Sequence, residues 1–178
     1  MRIIGGRLKG RIIDPPAGYK ARPTTDFARE ALFNILNNEY EFEGLRVLDL
    51  FGGTGAVGFE FASRGAERVY TVEMARENAS FIKREAQRLG LNNVTMVRDN
   101  VFDFLDVCHE KFDIVFADPP YALDGLEGIP DKVFAADILH PDALFILEHG
   151  NEHDFSTHPN FEKLRTYGRV HFSFFRNR

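Results

Sequence analysis

The chain holds 178 residues, 44% of them apolar and 28% charged, with a formal net charge of −5. That is the composition of an ordinary globular protein with enough chain to bury a real core. It excludes a membrane span, since no run of eighteen apolar residues occurs, and a disulfide framework, since Cys108 is the single cysteine.

The opening MRIIGGRLKGR is basic but has no apolar h-region, so it does not read as a secretory signal. A cytoplasmic location, a monomer and no metal site are the expectations. One cysteine and six scattered histidines lack zinc-ligand spacing. MRII and GRIID read as two short strands around a Gly-rich turn, and PPAGYKARPTT as a loop. Thr25 or Asp26 caps a helix whose Ala28, Ala31, Leu32, Ile35 and Leu36 recur at helical spacing. Residues 1–40 thus form an arm of two strands and a helix, and 41–178 the main domain. Within 1–29, seven basic residues (Arg2, Arg7, Lys9, Arg11, Lys20, Arg22, Arg29) meet only Asp14 and Asp26, a local +5 that leaves −10 for the rest. Such an arm suits a phosphate backbone or a solvated hairpin, and charge alone leaves both open.

Beyond the arm, strands and helices alternate. RVLDLF (46–51) reads as a strand, 56–64 as a helix closed by Gly65, and RVYTVE (68–73) as a second strand. A helix over 75–89 presents Phe81, Ile82, Ala86 and Leu89 on one face, with Gly90 at its C′ position. VTMVRD (94–99) and FDIVFAD (112–118) are further strands. A helix near 127–138 leads to ALFILEH (143–149), and FEKLRTY and RVHFSFFR meet at Gly168 as a hairpin. The alternation predicts a doubly wound α/β fold: a mostly parallel sheet, covered on both faces, with an antiparallel edge. Such folds bind ligands beyond the carboxyl ends of their strands, where each notable motif here falls.

The first motif is Gly53-Thr54-Gly55-Ala56-Val57-Gly58, a G-x-G-x-x-G between a strand and a helix. Glycines there allow a tight turn and close ligand approach, and Gly58 lets the helix pack near the sheet. Glu73 ends the second strand, where its carboxylate can accept from both hydroxyls of a ribose. Asp99 ends the third, placed to accept from the exocyclic amine of an adenine. NAD and S-adenosylmethionine are the candidate ligands. Asp49, inside the first strand's end, suits the ammonium of a methionine and sits poorly against a pyrophosphate, which favours S-adenosylmethionine.

The second motif, Asp118-Pro119-Pro120-Tyr121, ends the fourth strand. Two prolines fix two φ angles and remove two N–H donors, so this rim is rich in acceptors. The Asp118 carboxylate and the Pro119 carbonyl can hold the two N–H groups of an exocyclic amine so that its nitrogen faces a sulfonium methyl. Tyr121 supplies a ring on which a base can stack.

With these residues in place, the chain resembles the RsmD family, the bacterial 16S rRNA (guanine(966)-N(2))-methyltransferases. The resemblance runs through RIIGGRLKGR, RPTTDFAREALFNIL (22–36), DLFGGTGAVGFE, DPPY and GRVHFSFFR. The glycine and DPPY motifs are shared with many amino-methyltransferases, and the 22–36 block is the more particular. The resemblance implies a class I methyltransferase fold with a seven-stranded sheet, S-adenosylmethionine as donor and guanine N2 in small-subunit rRNA as acceptor. It implies cofactor binding by Asp49, Gly53, Gly55, Glu73 and Asp99, flanked by Phe51, Gly52, Thr54, Met74, Asn100 and Val101. Asp118, Pro119, Pro120 and Tyr121 would hold the base. Arg7, Lys9, Arg11, Lys20, Arg22 and Arg29 would grip RNA. Gly52 departs from the family, which more often has alanine, and the glycine should fit the same turn.

Rival readings are an amino-methyltransferase acting on DNA adenine or a protein glutamine, an NAD-dependent oxidoreductase, and a non-catalytic RNA-binding module. No separate DNA-recognition domain is evident, and glutamine enzymes usually carry Asn at the Asp118 position. An oxidoreductase leaves DPPY unexplained, and a non-catalytic module leaves the intact cofactor positions unexplained. The 18 phenylalanines read mainly as core, and Cys108 as a helix-end or surface residue.

Overall fold

The computed structural model describes residues 1–19 and 24–178. After a turn-rich N-terminal segment come α1 (Asp26–Asn37), β1 (Arg46–Leu50), α2 (Ala56–Ser63), β2 (Arg68–Val72), α3 (Arg76–Arg88) and β3 (Val94–Val97). Then follow α4 (Val101–Val107), β4 (Phe112–Ala117), a 3-10 turn (Leu126–Gly128), α5 (Ile129–Ala135), β5 (Leu139–His149), β6 (Phe161–Tyr167) and β7 (Val170–Arg176). The seven strands run in the order β3-β2-β1-β4-β5-β7-β6. β1 to β5 are parallel, and β7 pairs antiparallel with both β5 and β6. Among the described residues no helix is long and apolar enough to cross a membrane.

Strand side chains alternate between the two faces of the sheet. Val47, Ile114, Phe116, Leu144, Ile146, Phe172 and Phe174 join the core that covers α1, α2 and α3. Leu48, Leu50, Val115, Ala117, Phe145, Leu147 and Phe175 join the core under α4 and α5. Both faces are buried, so the central strands read as continuous apolar runs. Ile3, Leu8, Ile13, Ala28 and Leu32 belong to the first core, so the N-terminal arm shares its packing with the main body.

Two local expectations change. The two N-terminal strands reduce to one antiparallel bridge, Arg2 with Ile12. Ile3 and Ile13 still donate across to Arg11 O and Met1 O (both 2.9 Å), but the next amides go elsewhere. Ile4 and Gly5 donate to the Glu60 carboxylate (2.9 and 2.8 Å), and Leu8 donates to Ser63 Oγ (3.0 Å). With Ile4, Gly5 and Leu8 bonded to α2, the pairing cannot extend into a longer ladder. The second change is α4, absent from the sequence reading. Asn100 caps it, accepting from the Phe102 and Asp103 amides (2.9 and 3.3 Å), and Val101 and Leu105 are its buried residues. Elsewhere the predicted elements form within a few residues, except that β5 starts at Leu139. Thr25 caps α1 by accepting from the Ala28 amide (3.1 Å).

Candidate active site

The strand order reverses between β1 and β4. Beyond their carboxyl ends lies a cavity of about 460 Å³, within the size range of small-ligand sites. Its lining draws on the glycine turn, the residues after β2, the start of α4, the DPPY segment, Thr24 and Glu148.

The glycine turn begins at Phe51, a non-glycine residue at φ 60. The Gly52 amide donates back to Val72 O (2.8 Å) and the Gly55 amide to Gly52 O (2.8 Å). Glu73 holds the turn from the next strand, its Oε1 accepting from the Gly53 amide (2.9 Å) and its Oε2 from the Ala75 amide (2.8 Å). The Tyr19 hydroxyl donates to Gly53 O, and its ring stands 5.3 Å from that of Phe81. Burial, with Glu73 adding, pushes the Tyr19 hydroxyl up, so it remains a donor. Sequence reasoning missed this arm residue, because a tyrosine in a Pro/Gly loop carries no local signal.

Gly52 and Gly58 both pack against Thr71. A Cβ at Gly58 would lie 2.8 Å from Thr71 Oγ1 and 3.2 Å from Asp49 Oδ2, which explains why α2 comes so near the sheet only with glycine there. A Cβ at Gly52 would lie 2.5 Å from Thr71 Cγ2. In this chain the buried Thr71 methyl occupies the space that an alanine Cβ at position 52 would need. Gly52→Ala is expected to cost roughly 1–3 kcal/mol in chemical denaturation. Adding Thr71→Ser, which removes the methyl, should restore most of it, and an additive double mutant would exclude the clash.

Asp49 is 2% exposed, and its Oδ2 has no hydrogen-bond partner among the described residues. Burial pushes its carboxyl well above the usual range; the Gly58 N–H pulls the other way, and Glu73 adds to the rise. An unpartnered buried carboxylate oxygen in a cavity wall costs stability unless a donor arrives, so the donor set fits a cationic ligand group.

Asp49, Phe51, Gly52, Gly53, Thr54, Glu73, Met74, Asn100 and Val101 all line the cavity, as do Asp118, Pro119, Pro120 and Tyr121. Gly55 and Asp99 do not. Gly55 is the N-cap of α2 at φ 80, and Asp99 accepts from the Asn100 amide (2.8 Å) behind the lining. On the arm, Arg7, Lys9 and Arg11 are exposed, and Arg7 donates to Gly90 O (2.9 Å). Lys20 and Arg22 lie outside the described residues. Arg29 is a correction. It is fully buried; its Nη2 donates to Arg2 O and to Asp26 (3.0 Å), and its Nε lies 3.5 Å from Glu60. Its charge serves the fold and faces no RNA.

Two residues that the sequence reading did not single out complete the far wall. Glu148, near the end of β5, lies on the same face as Leu144 and Ile146, which turns it toward α1 and Thr24. Thr24 Oγ1 lies 2.8 Å from Glu148 Oε2 and 3.2 Å from Asp118 Oδ2, and the Tyr121 hydroxyl donates to Glu148 Oε1 (3.3 Å). Burial, then the neighbouring Glu148 carboxylate, pushes the Asp118 carboxyl well above its usual range. The only sequence signal was a glutamate closing an apolar strand.

A parallel sheet with this order, a glycine turn closed by an acid from the next strand and an acceptor-rich DPPY rim define a class I S-adenosylmethionine-dependent methyltransferase. A family model described as conserved hypothetical protein 95 matches residues 1–176, and the chain belongs to that family. It is 30% identical over 181 residues to the ribosomal RNA small subunit methyltransferase D of Buchnera aphidicola (Baizongia pistaciae), covering 99% of this chain and 92% of that protein. To the protein of the same name from Escherichia coli K12 it is 34% identical over 159 residues, 89% of this chain and 79% of that one. A solved structure described as a putative methyltransferase, yhhF, from Escherichia coli superposes with a TM-score of 0.87 at 30% identity, covering 99% and 97% of the two chains.

Proposed function

We propose that the protein transfers a methyl group from S-adenosylmethionine to the exocyclic N2 of a guanine in the 16S rRNA of the small ribosomal subunit. The observation that carries the reading is one cavity lined both by Asp49, whose Oδ2 has no partner among the described residues, and by the Asp118–Glu148 carboxyl pair. The first suits the ammonium of an amino acid, the second the donors of an amino base. The names of the relatives support rRNA as the substrate.

When bound, the cofactor supplies an electrophilic methyl on a sulfonium. Asp49 would hold its ammonium, Glu73 its ribose hydroxyls, and Met74, Asn100 and Val101 the adenine side, with Asp99 positioning Asn100. A base amine is a weak nucleophile because its lone pair is delocalised into the ring. Asp118 and the Pro119 carbonyl accept from its N–H groups, which orients the nitrogen for in-line attack. Tyr121 stacks on the base. The exposed Arg7, Lys9 and Arg11, with Lys20 and Arg22, would meet phosphates.

Cofactor affinity should depend on pH with a definite sign. Asp49 holds a proton in the free protein up to its raised pKa, and an ammonium beside it favours the ionised form. Binding therefore releases a proton, and affinity rises with pH until the free-protein pKa is passed. Titration calorimetry in buffers of differing protonation enthalpy reads that proton directly, and a dissociation constant flat from about pH 5 to 8 would remove Asp49 from the site.

The reading as a whole is tested with methyl-labelled S-adenosylmethionine and small subunits from cells lacking their own enzyme. Label in N2-methylguanosine after rRNA digestion supports it. Label in another nucleoside, or tight cofactor binding without transfer, moves the target elsewhere.

A further inference from the structure

We propose that the edge formed by α1 and β6 is a second RNA surface, beside the cavity: Phe27 stacks on the base of an unpaired nucleotide next to the target, and Arg165 and Arg169 hold its phosphates. The inference rests on the rRNA reading above and adds to it the surface that fixes the strand around the target base.

The arm's exposed cations do not flank the cavity. Both α2 and α3 start at the cavity, where Ala56 and Asn78 line it. Arg7 is bonded at their other ends. Its amide donates to Ser63 O (2.9 Å) and its side chain to Gly90 O (2.9 Å). Arg11 lies beside Ile12, whose carbonyl accepts from Arg88 at the end of α3 (2.8 Å). The length of α2 puts these groups roughly 12 Å from the cavity, so they meet phosphates remote from the target.

The opposite edge of the sheet supplies cations nearer by. β7 runs antiparallel to β5, with His171 opposite His149, so the β6–β7 turn at Gly168 sits at the end of the sheet that carries the cavity. Glu148, Phe172 and Arg165 form one row across β5, β7 and β6. Paired residues share a face, so Arg165 stands on the α1 face, two strand spacings or roughly 10 Å from Glu148. Arg169 is exposed in the turn itself. Phe27 lies in the first turn of α1, just after Thr24, which lines the cavity. Its ring meets that of Tyr167 edge to face, with centroids 6.0 Å apart, and Tyr167 packs in turn on Phe172.

The chemistry of this edge fits a nucleotide. Phe27 is 67% exposed, on a ring held at a fixed angle by its neighbour. Arg165 donates to the Leu164 carbonyl (2.9 Å), and neither it nor Arg169 has an acidic partner among the described residues. Nearby acids are paired, Asp26 with Arg29 and Glu162 with Arg176 and Arg178, and Glu30 lies a turn further along α1. Unpaired arginines beside an open ring are a local departure in a chain of net charge −5. An aromatic platform next to cations is how single strands are held. A protein partner would ask for a contiguous apolar patch. Here the other exposed apolar residue of β6, Leu164, lies opposite Ser173 on the far face of the sheet.

The test measures KM and salt-dependent binding with small subunits from cells lacking their own enzyme, using full-length variants that hold S-adenosylmethionine as the wild type does. Phe27→Leu keeps an apolar side chain but loses the ring. It should raise KM by about tenfold, the size of one base–aromatic stack, with a much smaller change in kcat. Phe27→Trp should recover most of that loss. Arg165→Gln with Arg169→Gln should lower the slope of log affinity against log salt by about 0.7 for each phosphate contact removed. A Phe27→Leu protein with wild-type KM overturns the inference, since a protein partner or bare solvent would accept leucine equally well. An unchanged salt slope in the double variant overturns it too. Failure of the wild-type protein to bind small subunits at all overturns the rRNA reading itself, a result distinct from any difference between variants.

Discussion

Asp118→Asn is expected to lower methyl transfer by about 10²–10³-fold, the size of losing one pre-organised polar contact at a reacting centre, while cofactor affinity stays within a few fold and the protein becomes more stable. The three readouts separate because Asp118 does three things. It belongs to the DPPY segment proposed to hold the base, and none of the proposed cofactor contacts runs through it, so those contacts stay intact. It supplies an acceptor to the reacting amine, and an asparagine keeps one acceptor atom but brings an NH₂ that opposes the amine's own donors. Burial and the Glu148 carboxylate push its carboxyl well up, so the native state bears the cost of two acids side by side. Removing one acid relieves that cost, and for a chain of this length each kcal/mol relieved raises Tm by about 2–4 °C.

The pH dependence carries the same sign. A carboxyl whose folded pKa lies above its unfolded value, ordinarily about 3.9, keeps a proton that the unfolded chain has released. Wild-type stability therefore falls as pH rises from the unfolded value through the raised folded one, and Asp118→Asn should flatten the part of that fall due to Asp118. Thermal unfolding of both proteins across this window checks it. A less stable Asp118→Asn, or one with full activity, would show that the carboxyl pair is not under strain for the sake of the chemistry.

The parallel sheet was legible because both of its faces are buried, so β1, β4 and β5 stand out as apolar runs between helical periods. The cofactor side was legible because a glycine turn must be written locally. Phe51 to Gly58 sit together in sequence, and their spacing alone implies a turn that something approaches. The base side was half legible. Asp118 to Tyr121 form a local motif, but Thr24 and Glu148 join them only through contacts across 94 and 124 positions. No periodicity encodes such a contact. α4 was overlooked because its seven residues span barely two turns, and its Asn100 cap was the one usable signal. Arg29 misled for a related reason. Counted by charge it belongs to a basic arm, whereas its place on the helix beside Ala28, Leu32 and Phe33 turns it inward.

That inward arginine leads to the variant with the largest expected effect on stability, Glu60→Ala. Glu60 is fully buried in a helix whose every residue is buried. Its two oxygens accept from the Ile4 and Gly5 amides, Arg29 Nε lies 3.5 Å away, and Arg64 Nε donates to it at 2.8 Å. One carboxylate thus satisfies two backbone donors of the arm and offsets two guanidinium groups. Its removal leaves the buried Arg29 charge, among the described residues, with only Asp26 and the Arg2 carbonyl beside it. Breaking a buried pair from one side costs about 3–5 kcal/mol, because the remaining charge stays desolvated. For this chain length that is a Tm lower by about 10 °C or more. Glu60→Leu combined with Arg29→Met removes the charge problem but leaves the Ile4 and Gly5 amides unsatisfied, so it should recover only part of the loss. Glu60→Gln, which keeps an acceptor, should fall between wild type and Glu60→Ala. Because those two amides fix the arm against α2, the same variants should loosen residues 1–13 first, seen as faster amide exchange at Ile4, Gly5 and Leu8 than in β1 or β4. Uniform acceleration across the chain would mean that Glu60 supports the whole core rather than the arm's attachment to it.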